Sequence, residues 1–159
     1  MAGTRDLTRL DTSIDIDSPR WSVWAVITDP SYFPKLYLDA ISVQLDPPGP
    51  VRTGQRCTIL GKVGKTRVEV PIQFTTVDRD FCLAHRALPG GLFAKWNQTV
   101  TLSPRGLRTI GRVESEYDLA PAYSSKVADI PTWNRVVSRN LLGYLPRVKE
   151  ICELLSLPR

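Results

Sequence analysis

Apolar residues along this chain keep two rhythms, and the order of those rhythms limits the fold more than any other feature. Through most of the first three quarters the period is two, as in half-buried strands. Val68, Val70, Ile72, Phe74 and Thr76 make the clearest row, with Arg67, Glu69, Gln73 and Thr75 opposed to it. Further rows run through Leu10, Thr12, Ile14 and Ile16; through Ile41, Val43 and Leu45; through Cys57, Ile59 and Val63; and through Leu83, His85 and Ala87. Two more follow, Trp96, Gln98, Val100 and Leu102, then Val113, Ser115, Tyr117 and Leu119, the last with Arg112, Glu114, Glu116 and Asp118 on its wet side. Such one-sided patterning is what an antiparallel sheet with one solvated face requires.

From Thr132 to Leu155 the spacing becomes helical, with Trp133, Val137, Leu141, Tyr144, Val148, Ile151 and Leu155 on one stripe. Gly143 and Pro146 interrupt it, and an interior proline costs about 3 kcal/mol in lost hydrogen bonding and steric clash. The apolar phase continues past the break, so the spacing predicts one helix bent near Gly143–Pro146. Strands in series followed by a terminal helix define an α+β domain in which the helix packs on an antiparallel sheet.

A shorter helix is predicted after the first strand. Ser18 is placed to cap it and Pro19 to occupy its first position, where the missing N–H costs nothing. Trp21, Trp24 and Ile27 recur at helical spacing, Val23 and Val26 widen the apolar face, and Asp29-Pro30 ends the segment before a short turn from Ser31 to Leu36. Asp46-Pro47-Pro48-Gly49-Pro50 reads as a tight loop between strands.

With 159 residues, 42% hydrophobic and 23% charged, the chain suits one domain, residues 1–159, large enough to bury a core without disulfides or a structural metal. The balance excludes the disordered class. Cys57, Cys82 and Cys152 are odd in number and widely spaced, which suits reduced core thiols. The net charge of +5 is spread from Arg5 to Arg159 with no basic run and no aromatic-basic RNA motif, so no nucleic-acid partner is expected. No apolar run approaches the roughly 18 residues of a spanning helix, and Met1 to Asp11 is polar where a signal peptide needs an apolar core. The expectation is a cytoplasmic protein without stable membrane insertion, as a monomer or a homodimer.

Ile14-Asp15-Ile16-Asp17-Ser18-Pro19, then Val23-Trp24-Ala25-Val26-Ile27-Thr28-Asp29-Pro30 and Tyr32-Phe33-Pro34, resemble the opening of the SRPBCC superfamily, the START and pollen-allergen-like helix-grip proteins. Polyketide cyclase/dehydrase-like members are the most similar, and the likeness continues at Leu83-Ala84-His85-Arg86 and in the terminal helix, spanning residues 7 to 156. The resemblance implies a seven-stranded curved antiparallel sheet gripping the long C-terminal helix, two short helices after the first strand, and an apolar tunnel between sheet and helix. It implies a hydrophobic, polyketide- or lipid-like ligand as partner, with functions ranging from aromatase/cyclase to carrier and receptor. Some cyclase members carry a cavity arginine on the strand matching Arg67 to Val77. The inward row here has none, which counts against aromatase-type catalysis.

Other chemistries fail on their residues. Gly61-Lys62-Val63-Gly64-Lys65-Thr66 ends like a phosphate-binding loop, but Ile59 stands where the pattern needs glycine. One histidine, with no clustered cysteines, excludes a His-based zinc site. No G-x-S-x-G is present, and Asn97-Gln98-Thr99, though it fits a glycosylation sequon, is a strand sequence.

What remains is a set of polar residues on inward faces: His85, Gln98, Ser115 and Tyr117 on strands, and Asn140 and Tyr144 four apart on the terminal helix. A buried polar group costs free energy unless partnered, so several converging from separate elements point to a polar spot in an apolar cavity. If a reaction occurs there, neutral His85 takes a proton from a carbon acid while Tyr117 or Tyr144 donates to the enolate oxygen, as in aldol cyclisation or dehydration, with no metal or cofactor. Trp24, Phe74, Phe93, Trp96 and Trp133 would wall the ligand, with Gln98, Ser115 and Asn140 touching its polar groups. A non-catalytic carrier or sensor and a protein-interaction module stay open beside this reading.

Overall fold

The computed structural model describes residues 7–37, 40–121 and 130–156, without the side chains of 130 and 131. Seven strands form one unclosed antiparallel sheet: β1 (Thr8–Ile16), β2 (Ser42–Asp46), β3 (Arg56–Val63), β4 (Thr66–Asp78), β5 (Cys82–Ala87), β6 (Phe93–Arg105) and β7 (Arg108–Leu119). Their spatial order is β1-β7-β6-β5-β4-β3-β2. The chain thus crosses from one edge to the other after β1 and meanders back by hairpins. That crossing carries α1 (Arg20–Ile27), a 3-10 turn (Pro30–Tyr32) and α2 (Phe33–Leu36). The terminal helix comes as α3 (Ile130–Leu142) and α4 (Tyr144–Leu155). Helix α4 lies against β1, β7, α1 and α2, while α3 touches β1 and β3. The core between the two layers includes Ile59, Val70, Ile72, Phe74, Trp96, Val137, Tyr144 and Val148, all buried.

Period-two reasoning holds along most strands and fails at two β-bulges, where an extra residue in one strand shifts the phase of all that follow. In β4 the register with β5 shifts between Phe74, opposite His85, and Thr76, opposite Ala84. Thr76, expected inside, is therefore exposed, and Val77 turns inward in its place. In β6 the register with β7 shifts between Phe93 and Lys95. Phe93 and Trp96, three apart and destined for opposite faces of a regular strand, are both buried as a result.

The first helix also departs from expectation. Pro19, not Ser18, is its N-cap, with no side-chain cap. The Ser18 hydroxyl instead bonds the hydroxyl of Ser156 at 2.8 Å, tying the helix entrance to the end of α4. Val23, Val26 and Ile27 are its buried residues; Trp21 is 67% exposed and Trp24 only half-buried. In an eight-residue helix set at a corner, the sheet and α4 cover a narrower arc than the apolar spacing offers. Ile41 and Leu155, placed on inward rows by spacing, lie beyond the covered parts of β2 and α4 and are exposed.

The bend of the terminal helix falls at Gly143, which keeps right-handed helical geometry (φ −79°, ψ −7°). Arg147 seals it: the guanidinium donates to the Asn140 carbonyl at 3.0 and 3.1 Å and to the Leu36 carbonyl at 3.0 Å. A Cβ at Gly143 would lie 2.6 Å from Arg147 Nη2, so glycine is what leaves room for that guanidinium. No helix among the described residues is long and apolar enough to cross a membrane.

Candidate functional site

The polar residues of the inner face divide into two groups. Ser115 and Trp96 satisfy each other, the indole Nε1–H donating to the Ser115 hydroxyl at 2.9 Å. The Tyr117 hydroxyl bonds the Asn134 side-chain oxygen at 2.8 Å and carbonyl at 3.1 Å, and also meets the Ser138 hydroxyl, pinning β7 to α3. Burial raises the Tyr117 phenol above its ordinary pKa, against the lowering effect of Ser138. Asn140 turns its side chain to the Val136 carbonyl and to Arg147. These three residues, expected around a ligand or a proton, are taken up by protein partners: Ser115 within the sheet, Tyr117 between sheet and helix, and Asn140 along the terminal helix. Sequence spacing puts a hydroxyl or amide on an inward row but does not show whether a partner lies within its reach, or which one.

The second group has no such partners. His85 Nε2 and both side-chain polar atoms of Gln98 are sealed from solvent without a hydrogen bond, and the Tyr144 hydroxyl, equally sealed, has only the Tyr37 phenol beside it. Their residues are 3%, 1% and 1% exposed. They come from β5, β6 and α4, and His85 and Gln98 face each other directly in the β5–β6 ladder. An amide that can donate and accept, left empty at both ends in an apolar interior, carries the full desolvation cost of both groups.

An aromatic cage surrounds them. The His85 ring packs edge-on against Trp96 with centroids 4.4 Å apart, and against Phe74 at 6.3 Å. Phe93 stacks on Trp96 at 4.7 Å, brought there by the β6 bulge. Tyr37, at the C-terminal end of α2, occupies the middle: its ring meets Phe33 at 5.5 Å, His85 at 6.2 Å, Trp96 at 6.5 Å and Tyr144 at 5.3 Å. Sequence reasoning did not single out Tyr37. An aromatic directly after the Phe33-Pro34-Lys35-Leu36 turn was the available signal, but no periodicity orients a residue in a four-residue helix. Trp24 and Trp133 pack half-buried on the core rather than in this ring cluster.

Electrostatically the interior is neutral. Burial pulls the His85 imidazolium down to a pKa of about 3, so the ring is uncharged at physiological pH. Burial pushes the Tyr37 and Tyr144 phenols well above their ordinary range, the nearby Tyr144 adding to the rise at Tyr37. Cys57, buried in the β3 row, is raised to about 12. Among the described residues no Asp, Glu, Lys or Arg is buried, and no group of His, Cys, Asp and Glu is placed to hold a metal.

The outer surface has its own clefts. One, of about 460 Å³, is lined by Arg9, Asp11, Asn97, Glu114 and Glu116 on the polar face of the sheet. Neither this cleft nor the one of about 680 Å³ beside Asp46, Arg56 and Pro71 contains a residue of the aromatic cage.

No protein-family model and no curated protein sequence matches the chain. Solved structures do. The aromatase/cyclase Zhui from Streptomyces sp. R1128 superposes with a TM-score of 0.75 at 15% identity, over 93% of this chain and 94% of that one. Norcoclaurine synthase from Thalictrum flavum, a point mutant in complex with a transition-state analogue, matches at 0.68 and 14% identity, over 98% and 99%. A START superfamily protein from Mycobacterium smegmatis matches at 0.71 and 10% identity, over 93% and 99%. The chain therefore has the helix-grip fold that these structures share, and likeness at this level of identity carries the fold alone.

Proposed function

We propose that this helix-grip chain binds a hydrophobic small molecule between the sheet and the terminal helix, in the aromatic cage around Tyr37. One observation carries the reading: polar atoms of His85 and Gln98, opposite each other on neighbouring strands, are buried there without protein partners, with the Tyr144 hydroxyl met only by the Tyr37 phenol. A stable core has no use for such groups, since apolar replacements of similar shape would avoid their desolvation cost. A ligand's polar group gives them one. The small-molecule enzymes among the structural neighbours support the same reading.

Tyr37 lies against both His85 and Tyr144, so a ligand gains the polar atoms by displacing its ring. Nile red, an uncharged dye whose emission rises in apolar surroundings, tests this. Emission should saturate at one dye per chain and strengthen in Tyr37→Ala, which empties the middle of the cage. A response that never saturates in either protein, or one lost in Leu107→Ser at the exposed β6–β7 turn, would place the dye on the surface and overturn the proposal.

A second reading adds chemistry, supported by the unpaired Nε2 of His85 beside Tyr37 and near the Tyr144 side of the cage. Neutral His85 would take a proton from a carbon acid and a phenol would donate to the enolate oxygen. The same burial that keeps the ring neutral makes it a weak base, far from the pKa near 7 that serves proton abstraction best. Binding is thus the function the geometry supports better.

A further inference from the structure

From the pair of empty positions on Gln98, we infer that the site selects an uncharged ligand bearing a hydrogen-bond acceptor and donor side by side, of the carboxamide, lactam or enolised 1,3-dicarbonyl class, and rejects carboxylates. The inference rests on the binding proposal and deepens it. Gln98 Nε2 donates and Oε1 accepts, a fixed distance apart on one planar group, and both are sealed and unpaired. The complementary partner is a planar group that presents C=O next to N–H or O–H, because it meets both positions at once and leaves neither orphaned. A hydrocarbon leaves both empty, and an ether or ketone leaves the acceptor empty.

Charge selection follows from what surrounds the amide. The cage rings are Phe33, Tyr37, Phe74, His85, Phe93, Trp96 and Tyr144, reached through Gln98's ladder partner His85. Among the described residues no cationic side chain is buried with them, and the imidazole stays neutral. A carboxylate would enter without a counter-ion, facing Oε1 as a like partial charge, and desolvation of an unpaired anion outweighs a single hydrogen bond from Nε2. His85 Nε2, also unpaired, supplies one more contact to a neutral polar group across the ladder.

Three ring-matched probes separate the contributions: 2-naphthamide, 2-naphthoate and 2-methylnaphthalene, titrated calorimetrically at about pH 7.5, where a carboxylic acid is ionised. The naphthamide should bind at least about tenfold more tightly than the hydrocarbon and more tightly still than the naphthoate. Gln98→Met should abolish the advantage of the amide over 2-methylnaphthalene, measured on the same variant, and raise the melting temperature. In the wild-type protein the Gln98 side-chain NH2 resonances should shift on adding 2-naphthamide and stay put with 2-methylnaphthalene, a readout that needs no variant. If the hydrocarbon binds but the amide gains nothing over it, or naphthoate binds as well as the amide, the selectivity is overturned while the binding proposal stands. If none of the three binds, both fall.

Discussion

The two faces of the sheet treat polar residues in opposite ways. On the outer face of β1 and β7 the charges are matched: Arg112 grips Asp11 with two bonds of 2.7 and 3.0 Å, and Arg108 bonds Asp15 at 2.8 Å and Asp17 at 3.1 Å. Those arginines hold the Asp11 and Asp15 carboxyls below the ordinary carboxylate range. On the inner face, where a partner matters far more because water is absent, His85 Nε2 and the Gln98 amide have none. Matched pairs in water contribute little, and unmatched groups in a dry interior cost much. Under the binding proposal, those open groups are the ones a ligand would satisfy.

The largest expected effect that can break this contrast comes from His85. Its folded pKa lies below its unfolded value near 6.5, so the stability from a neutral buried ring is fully present above that pH and is lost as pH falls toward about 3. Unfolding free energy should fall by up to about 1.4 kcal/mol per pH unit through the upper part of that window, above the carboxylate range. As His85 is the sole histidine, its NMR titration is unambiguous. A flat stability profile between about pH 6.5 and 5 would mean that the imidazole reaches water or a carboxylate.

A smaller effect separates satisfied from unsatisfied groups within the inner face. Ser115→Ala orphans the Trp96 indole N–H and should cost about 1–3 kcal/mol in urea unfolding. Equal tolerance of Ser115→Ala and of apolar replacements at Gln98 would show that the two positions are the same kind of site. The smallest effect belongs to the outer face: Arg112→Ala should leave the melting temperature nearly unchanged while the Asp11 carboxyl, followed by NMR, titrates closer to its ordinary value. A marked fall in melting temperature would make the outer pairs part of what holds β1 in place.

The sequence by itself determined the architecture. Period-two rows placed Val68, Val70, Ile72 and Phe74 on one face, the helical stripe from Trp133 carried the cover, and the inward phase of His85 and Gln98 was readable, because a side chain's face depends only on the local backbone repeat. Tertiary structure decided which polar residues were free. Ser115, Tyr117 and Asn140 share the inward signature of His85 and Gln98, yet Trp96, Asn134, Ser138 and Arg147 take them up. Those partners lie across the ladder, on the opposite layer or a helical turn and more away, at distances that no periodicity encodes. The bulges after Phe74 and Phe93 belong to the same class: a one-residue phase shift is set by the register with the neighbouring strand, and it alone puts Phe93 on Trp96. Tyr37 completes the cage from a segment too short for any repeat to orient, held where α2 ends because Phe33, His85, Trp96 and Tyr144 converge on its ring.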